Sequence, residues 1–314
     1  MTAIEWTDET WNPTTGCDRV SPGCDNCYAL TLANRLKGMG SAKYQNDGDP
    51  NTSGPGFLAT EHFDTLTAPL RWRKARKVFV NSMSDLFHER ISDEFIAKVF
   101  AVMAATPQHT YQILTKRHAR MRSFVTDLCR CGSGHAAGIH LRSAMSWAVS
   151  TANPDRIIGK GATEEQVYYE AGWPLPNVWL GVSVEDQKWA NTRIPALLDT
   201  PAAVRFLSCE PLLGPIDLTW LGGINALEPD WSGSAAAGTG APHPLIDWVI
   251  AGGESGDAFR PVDHEWVRSL RDQCERAEVA FLFKQWGGRT PKSGGRELDG
   301  RTWDEYPVGS GVQS

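Results

Sequence analysis

An α/β fold is what this 314-residue chain predicts: a full or partial β/α barrel of TIM type, interrupted by inserted loops. Three observations lead there. Six short apolar runs recur along the chain, several followed by a segment with helical periodicity. The runs are nearly continuous in apolar character, as strands buried on both faces are. No Gly-x-Gly-x-x-Gly follows an early strand, so a dinucleotide-binding, doubly wound sheet has little support.

The expected strands are 78–82, 111–115, 178–182, 204–208, 248–252 and 280–284, with one more just ahead of a cysteine-rich loop. Residues 93–103 and 264–274 place apolar side chains at helical spacing. Strand alternating with helix implies a parallel sheet with right-handed crossovers, here of six or seven units. Residues 40–60, rich in Gly, Asn, Asp, Ser and Pro, read as a long loop. Residues 124–176 separate two strands by more than one crossover needs and read as an insertion with a helix of its own. A Gly-, Ala- and Ser-rich stretch at 222–244 is a third insertion. One barrel domain over 1–290 and a polar tail over 291–314 follow, with the chain after Gly287 expected to be loosely ordered.

Hydrophobic residues at 41% and charged residues at 22% suit a folded globular protein with a sizeable core. A net charge of −6 argues against a wholesale nucleic-acid coat but leaves room for a local basic groove. The start of the sequence has neither the basic nor the apolar stretch of a signal peptide, and no run approaches the ~20 apolar residues of a membrane span. The expectation is a cytoplasmic protein with no membrane partner. Seven cysteines in such a chain point to metal or reduced thiols before disulfides.

Cys17, Cys24 and Cys27 form a C-x6-C-x2-C pattern, with glycine before each of the first two and Tyr28 after the third. Three thiolates hold three irons of a 4Fe-4S cube and leave the fourth iron open for substrate or cofactor. Zinc is the rival: Cys24-x2-Cys27 is a common half-site, and His88 would be an available fourth ligand. A second constellation, Cys129, Cys131, His135 and His140, offers four soft or borderline ligands within twelve residues. It reads either as a small zinc site stapling the 124–176 insertion or as a Gly-rich loop with incidental histidines.

Polar residues stand at the C-terminal end of almost every expected strand: Ser82, Ser84 and Asp85; Lys116; Glu185; Glu210; Glu254; and Lys284. In a β/α barrel these ends converge on the mouth where active sites lie. The alternative is that they cap the following helices. Two basic runs, Arg71, Arg73, Lys74, Arg76 and Lys77, and then 116–122, read either as a phosphate-tracking groove for nucleic acid or as solvated faces.

The cysteine loop after a first strand resembles that of the radical S-adenosylmethionine (SAM) superfamily, although the first gap is six residues rather than three and Asn26 stands where that family has an aromatic. The sequence is more closely similar to a family of uncharacterised phage and prophage three-cysteine proteins. The shared blocks are Thr10-Trp-Asn-Pro through Cys27-Tyr-Ala, Ser82-Met-Ser-Asp-Leu-Phe-His88, Leu114-Thr-Lys-Arg117, Gly181-Val-Ser-Val-Glu185, Ser208-Cys-Glu-Pro-Leu-Leu-Gly214, Gly252-Gly-Glu-Ser-Gly256 and Phe283-Lys-Gln-Trp-Gly287. The resemblance implies a cluster on Cys17, Cys24 and Cys27, with SAM on the open iron and an electron donor to reduce it. It implies Asp85, with Ser82 and Ser84, at the place that holds the SAM amino group. Strand order then puts Glu185 and Lys116 beside the cofactor, and Glu210, Glu254 and Lys284 beside the substrate. The expected reaction is SAM cleavage followed by hydrogen abstraction from a substrate such as a nucleic-acid base or nucleotide. The other readings are a zinc-stabilised nucleic-acid-binding protein without catalysis, and a hydrolase or lyase working through the mouth carboxylates.

Overall fold

In the computed structural model, residues 4–157, 163–229 and 245–307 are described. Most of the expected insertion at 222–244 lies outside them, as do 158–162 and the last residues of the tail. The elements in chain order are β1 (Glu9–Trp11), β2 (Thr14–Thr15), α1 (Tyr28–Gly38), β3 (Thr60–Glu61), α2 (Phe63–Leu66), β4 (Lys77–Val80), α3 (Asp93–Ala104), β5 (Thr110–Thr115), α4 (His118–Thr126), α5 (Ile139–Val149), β6 (Val178–Ser183), α6 (Gln187–Leu198), β7 (Val204–Cys209), β8 (Trp248–Gly252), α7 (His264–Arg276) and β9 (Ala280–Gln285). Each expected strand is present within a residue or two of its place, and β1 is the one ahead of the cysteines.

The strand order of the main sheet is β1-β4-β5-β6-β7-β8-β9, so neighbours follow one another along the chain. A doubly wound sheet would reverse this order at a switch point. The result is a mixed α/β fold with a seven-stranded sheet, compatible with a partial β/α barrel. The chain divides into two compact units. The first is Met1–Val20, Ala29–Trp179 and Thr200–Ala203; the second is Ser21–Tyr28, Leu180–Asp199 and Val204–Ser314.

In the first unit, β1 pairs with β4 and β4 with β5, both parallel. Helix α3 is buried on nearly every face, from Phe95 to Ala104, because it is apolar all round. Its one long cation, Lys98, reaches Glu94 at 2.8 Å and lies over the Phe63 ring. Ser92 caps the helix by accepting a hydrogen bond from the Phe95 amide at 3.2 Å. The 124–176 insertion contains the helix expected of it: α5 packs on α3, and a π-helical turn at Gln166–Glu170 packs on α5.

In the second unit, β7 pairs with β8 and β8 with β9, again parallel. Strands β6 and β8 are buried along their whole length, as their continuous apolar character predicts. Helix α7 presents Val267, Leu270 and Cys274 to the core. Up to residue 307, the stretch after Gly287 is more ordered than its polarity suggests. Leu298 and Trp303 are buried, the Phe283 amide donates to the Trp303 carbonyl at 2.9 Å, and Asp304 bridges Leu282 in antiparallel fashion. Two apolar anchors and a free sheet edge outweigh the Gly- and Ser-rich composition. Among the described residues, no helix is long and apolar enough to cross a membrane.

The Ser92 cap yields a direct check. Ser92→Ala leaves the Phe95 amide without its acceptor and is expected to lower stability by about 1 kcal/mol, read as a shift in urea midpoint with unchanged slope.

Candidate functional site

The first unit positions Cys17. After β1, the Asn12 side chain pairs with Ser82 Oγ at 3.2 Å and accepts from the Met83 amide at 3.1 Å. Thr14 Oγ1 and Ser84 Oγ lie 2.8 Å apart, Ser84 Oγ donates to the Thr14 carbonyl, and the Gly16 amide donates to the Met83 carbonyl. Ser82 and Ser84 therefore fasten the segment that leads into the cysteine. Gly16 has φ +87°, and a Cβ there would sit 2.1 Å from the Leu58 carbonyl oxygen, so only glycine fits before Cys17.

Asp85 is buried, and both its carboxylate oxygens are engaged. Oδ1 accepts from the Phe87 amide at 3.0 Å and Thr115 Oγ1 at 2.7 Å. Oδ2 accepts from the Lys116 amide at 3.0 Å and stands 3.6 Å from Arg117 Nη1. The same Arg117 Nη1 donates to Cys17 Sγ at 3.3 Å. Burial opposes the charge on Arg117, but the Cys17 thiol and Asp85 together raise its pKa above the ordinary value. Asp85 thus holds the cation that faces the cysteine.

His88, the fourth zinc ligand of the sequence alternative, has a hydrogen-bond partner at each ring nitrogen. Its Nε2 lies 2.8 Å from Asp18 Oδ2 and its Nδ1 accepts from the Arg90 amide at 3.1 Å, so both nitrogens are occupied. Burial first, and then the Arg117 charge, push its pKa down, which keeps the ring neutral. Asp18, Asp49, Thr52, Ser53, Glu89, Arg90 and Arg117 contribute to a polar cavity of about 340 Å³ in this unit.

The second unit positions Cys24 and Cys27. A short turn, Pro22–Cys24, carries the first of them. Ser21 Oγ donates to Glu185 Oε1 at 2.6 Å. Gly23 lies so close that a Cβ would meet Glu185 Oε1 at 2.6 Å, so a larger residue would push the turn off the carboxylate. Glu185 is fully buried at the end of β6, 2.9 Å from Arg193 Nη1 of α6, which is also fully buried and stacks over Trp189. At the end of β8, Glu254 Oε2 accepts from Asn26 Nδ2 at 2.9 Å and from the Arg260 amide and Nε, while Oε1 accepts from Arg260 Nη2 at 2.6 Å. Arg260 Nη2 also donates to the Pro22 carbonyl at 2.8 Å. The cysteine turn is therefore held to two strand ends by two carboxylates. Burial raises the Glu254 pKa, but the hydrogen bonds from Arg260 and Asn26 outweigh it and leave the group below its usual value.

Glu210 and Lys284 stand at the ends of β7 and β9 and pair with each other at 3.0 Å. Ser208 Oγ donates to Glu210 at 3.2 Å. Each of the three mouth carboxylates of this unit thus has a cation beside it. Gly253, in the Gly-Gly-Glu block, would place a Cβ 2.0 Å from the Trp286 carbonyl oxygen, so the glycine allows the ends of β8 and β9 to approach closely.

The basic runs divide. Arg71, Arg73 and Lys74 are exposed. Arg76 pairs with Glu9 at 2.6 Å and lies over Trp72, and Lys77 is half-buried with its pKa lowered by burial. In the second run, Arg117 turns inward, and Arg120 binds the His88 and Ile91 carbonyls and Asp93.

The remaining constellation is local. Cys129, Cys131, His135 and His140 bring one ligand atom each to within 4.8 Å of one another, and among the described residues they could hold a metal ion such as zinc. The Cys129 thiol is pulled down to about 5 by the nearby His140 ring, and further by Cys131.

Sequence reasoning missed Arg193, Arg260, Ser21 and Asn26 as positioning residues, and saw Arg117 in a shared block and a charge run without giving it a role of its own. No local signal marks them, because each meets its partner only after a loop or helix returns.

An α/β chain with cysteine turns anchored at the carboxyl ends of its strands is the class these observations define. The chain belongs to the DUF5131 family, described as a protein of unknown function, whose family model matches residues 1–307. No curated protein and no solved structure matches it.

The Glu254 contacts generate a pH prediction. A carboxylate whose pKa is lowered in the fold contributes stability above its unfolded value of about 4.3, and that stability is lost as pH falls through the lowered value. Glu254→Gln is expected to cost about 1–3 kcal/mol at pH 7, since Arg260 and Asn26 lose their anion. The difference from the parent chain should shrink below about pH 4.3. Urea titrations of both chains from pH 7 to pH 3 check this; a pH-independent difference would remove the charge argument.

Proposed function

We propose that this chain is an iron–sulfur enzyme of radical-SAM type, with Cys17, Cys24 and Cys27 as the protein ligands of a 4Fe-4S cluster. The observation that carries the reading is how much of the fold is devoted to presenting these cysteines. In one unit, Asn12, Ser82, Ser84 and Asp85 deliver Cys17 against the Arg117 guanidinium. In the other, Glu185, Glu254 and Arg260 fix the turn bearing Cys24 and the residues around Cys27.

The donor set suits the group. None of the three is in a disulfide, and all are partly accessible. A guanidinium beside Cys17 favours the thiolate, the form that ligates metal. Three ligands leave one iron of a 4Fe-4S cube open. When bound, the cluster and S-adenosylmethionine together supply one-electron reductive chemistry that begins with an external donor and ends in hydrogen abstraction from a substrate.

The chain's own residues then have distinct tasks. Asp85 orients Arg117 toward Cys17. Glu185 and Glu254 hold the cysteine turn, which takes them out of contention as general bases. The Glu210–Lys284 pair, partly accessible at the ends of β7 and β9, offers one acceptor and one donor to a polar substrate. The exposed Arg71, Arg73 and Lys74 support a substrate or partner carrying phosphate, such as a nucleotide or nucleic acid.

Anaerobic reconstitution with iron and sulfide tests the reading. The chain should turn brown, absorb near about 400 nm through sulfur-to-iron charge transfer, and hold about four iron and four sulfide per chain. Cys17→Ala and Cys24→Ala should each lose most of that absorption while the far-ultraviolet circular dichroism stays unchanged. A colourless parent chain that binds zinc at these three cysteines would overturn the proposal.

A further inference from the structure

Residues 127–138 join α4 to α5. The base of this loop is closed: the Gly138 amide donates to the Thr126 carbonyl at 3.2 Å, and the Leu141 amide donates to Asp127 Oδ2 at 2.8 Å. Between those ties, residues 130–137 are all exposed. A Gly- and Ser-rich exposed run has no apolar surface to offset the entropy of ordering it.

What gathers in the loop instead is a set of ligands. Cys129 Sγ and Cys131 Sγ are 3.2 Å apart, and they lie 3.6 and 3.4 Å from His135 Nδ1. The His135 and His140 rings are 5.2 Å apart, centroid to centroid. His140 Nε2 is buried and has no hydrogen-bond partner, so no hydrogen bond competes for it. A tetrahedral zinc ion with Zn–S near 2.3 Å and Zn–N near 2.0–2.1 Å sets its ligand atoms about 3.3–3.8 Å apart. The sulfur–nitrogen separations fall in that range, and the sulfur–sulfur separation would have to widen by about 0.6 Å to share one ion.

We propose that Cys129, Cys131, His135 and His140 form a closed, tetrahedral zinc site that staples the α4–α5 loop. Two thiolates and two imidazoles are the donor set that selects zinc in tetrahedral geometry. Four protein ligands leave no open position, so the ion is structural and not catalytic. It ties the end of α4 to the first turn of α5, the helix that packs on α3, and does the work a small core would otherwise do. The site shares no residue with Cys17, Cys24 and Cys27, so it stands or falls apart from the iron–sulfur reading.

The test uses the full chain carrying Cys17→Ala, Cys24→Ala and Cys27→Ala, which removes the other thiols of interest. Metal analysis after purification with added zinc should give about one zinc per chain. Replacement by cobalt(II) should give the intense visible bands of a tetrahedral ion together with sulfur-to-cobalt charge transfer. Trypsin cleavage after Arg130 should slow about a hundredfold when free zinc is about 100 times its dissociation constant. Adding Cys131→Ser and His140→Gln should abolish all three effects. No zinc retention by the chain, or a pale octahedral cobalt spectrum, overturns the proposal. Should the combined variants fail to fold, cobalt titration of the chelator-stripped parent chain, followed by the same protease assay, gives the same decision.

Discussion

The bond between Glu254 and Arg260 fixes the turn that carries Cys24 to the end of β8. One carboxylate accepts from three groups of Arg260 and from Asn26, and the guanidinium it holds then reaches the Pro22 carbonyl. Remove the carboxylate and two separate pieces of chain, the cysteine turn and the Arg260 segment, lose their reference point. The neighbouring Glu185 repeats the device in a drier setting. It is fully buried, neutralised by an equally buried arginine, and reached by Ser21. Buried charges of this kind are weak contributors to net stability but costly to leave half-made. Their value here is geometric: each fixes where a short, Gly-containing turn lies.

The same logic operates on the other side of the motif with neutral partners. Asn12, Ser82, Thr14 and Ser84 replace a strand ladder that β1 is too short to extend. Cys17 is then met by a cation that is itself anchored by a buried aspartate. Polar side chains at strand ends, which position alone would cast as a row of catalytic groups, are mostly engaged by the turns and helices around them. Glu210 is the most accessible of the three carboxylates at the strand ends of its unit, and Lys284 beside it is partly exposed, which is why the pair figures in the functional reading as the contact offered to a substrate.

How much of this was legible follows from range. The strands read clearly because burial on both faces leaves unbroken apolar runs, as in β6 and β8. Helices α3 and α7 read from their periodicity. The Cys129–His140 constellation was visible, with a zinc site and an incidental loop both open, because its four members lie within twelve residues and the chain need only curl to bring them together. Arg193 did not, since an arginine on a helix reads as a solvated face until the fold is known to bury it beside Glu185. The ordered stretch near Trp303 was hidden in the same way: composition averages over a segment, whereas two apolar side chains are enough to dock it. The division of the basic run at 71–77, with two members turned inward to pair or pack, is likewise a tertiary fact.

That docked stretch has a consequence for solubility. The outer flank of β9 would otherwise offer bare amides and carbonyls, the template on which strands of separate molecules join. Instead the Phe283 amide is taken by the Trp303 carbonyl, the Glu305 amide by Phe281, and the Phe281 amide by the Glu305 carboxylate. The chain sheathes its own last strand, so clipping it ahead of Leu298 would convert a quiet boundary into an adhesive one.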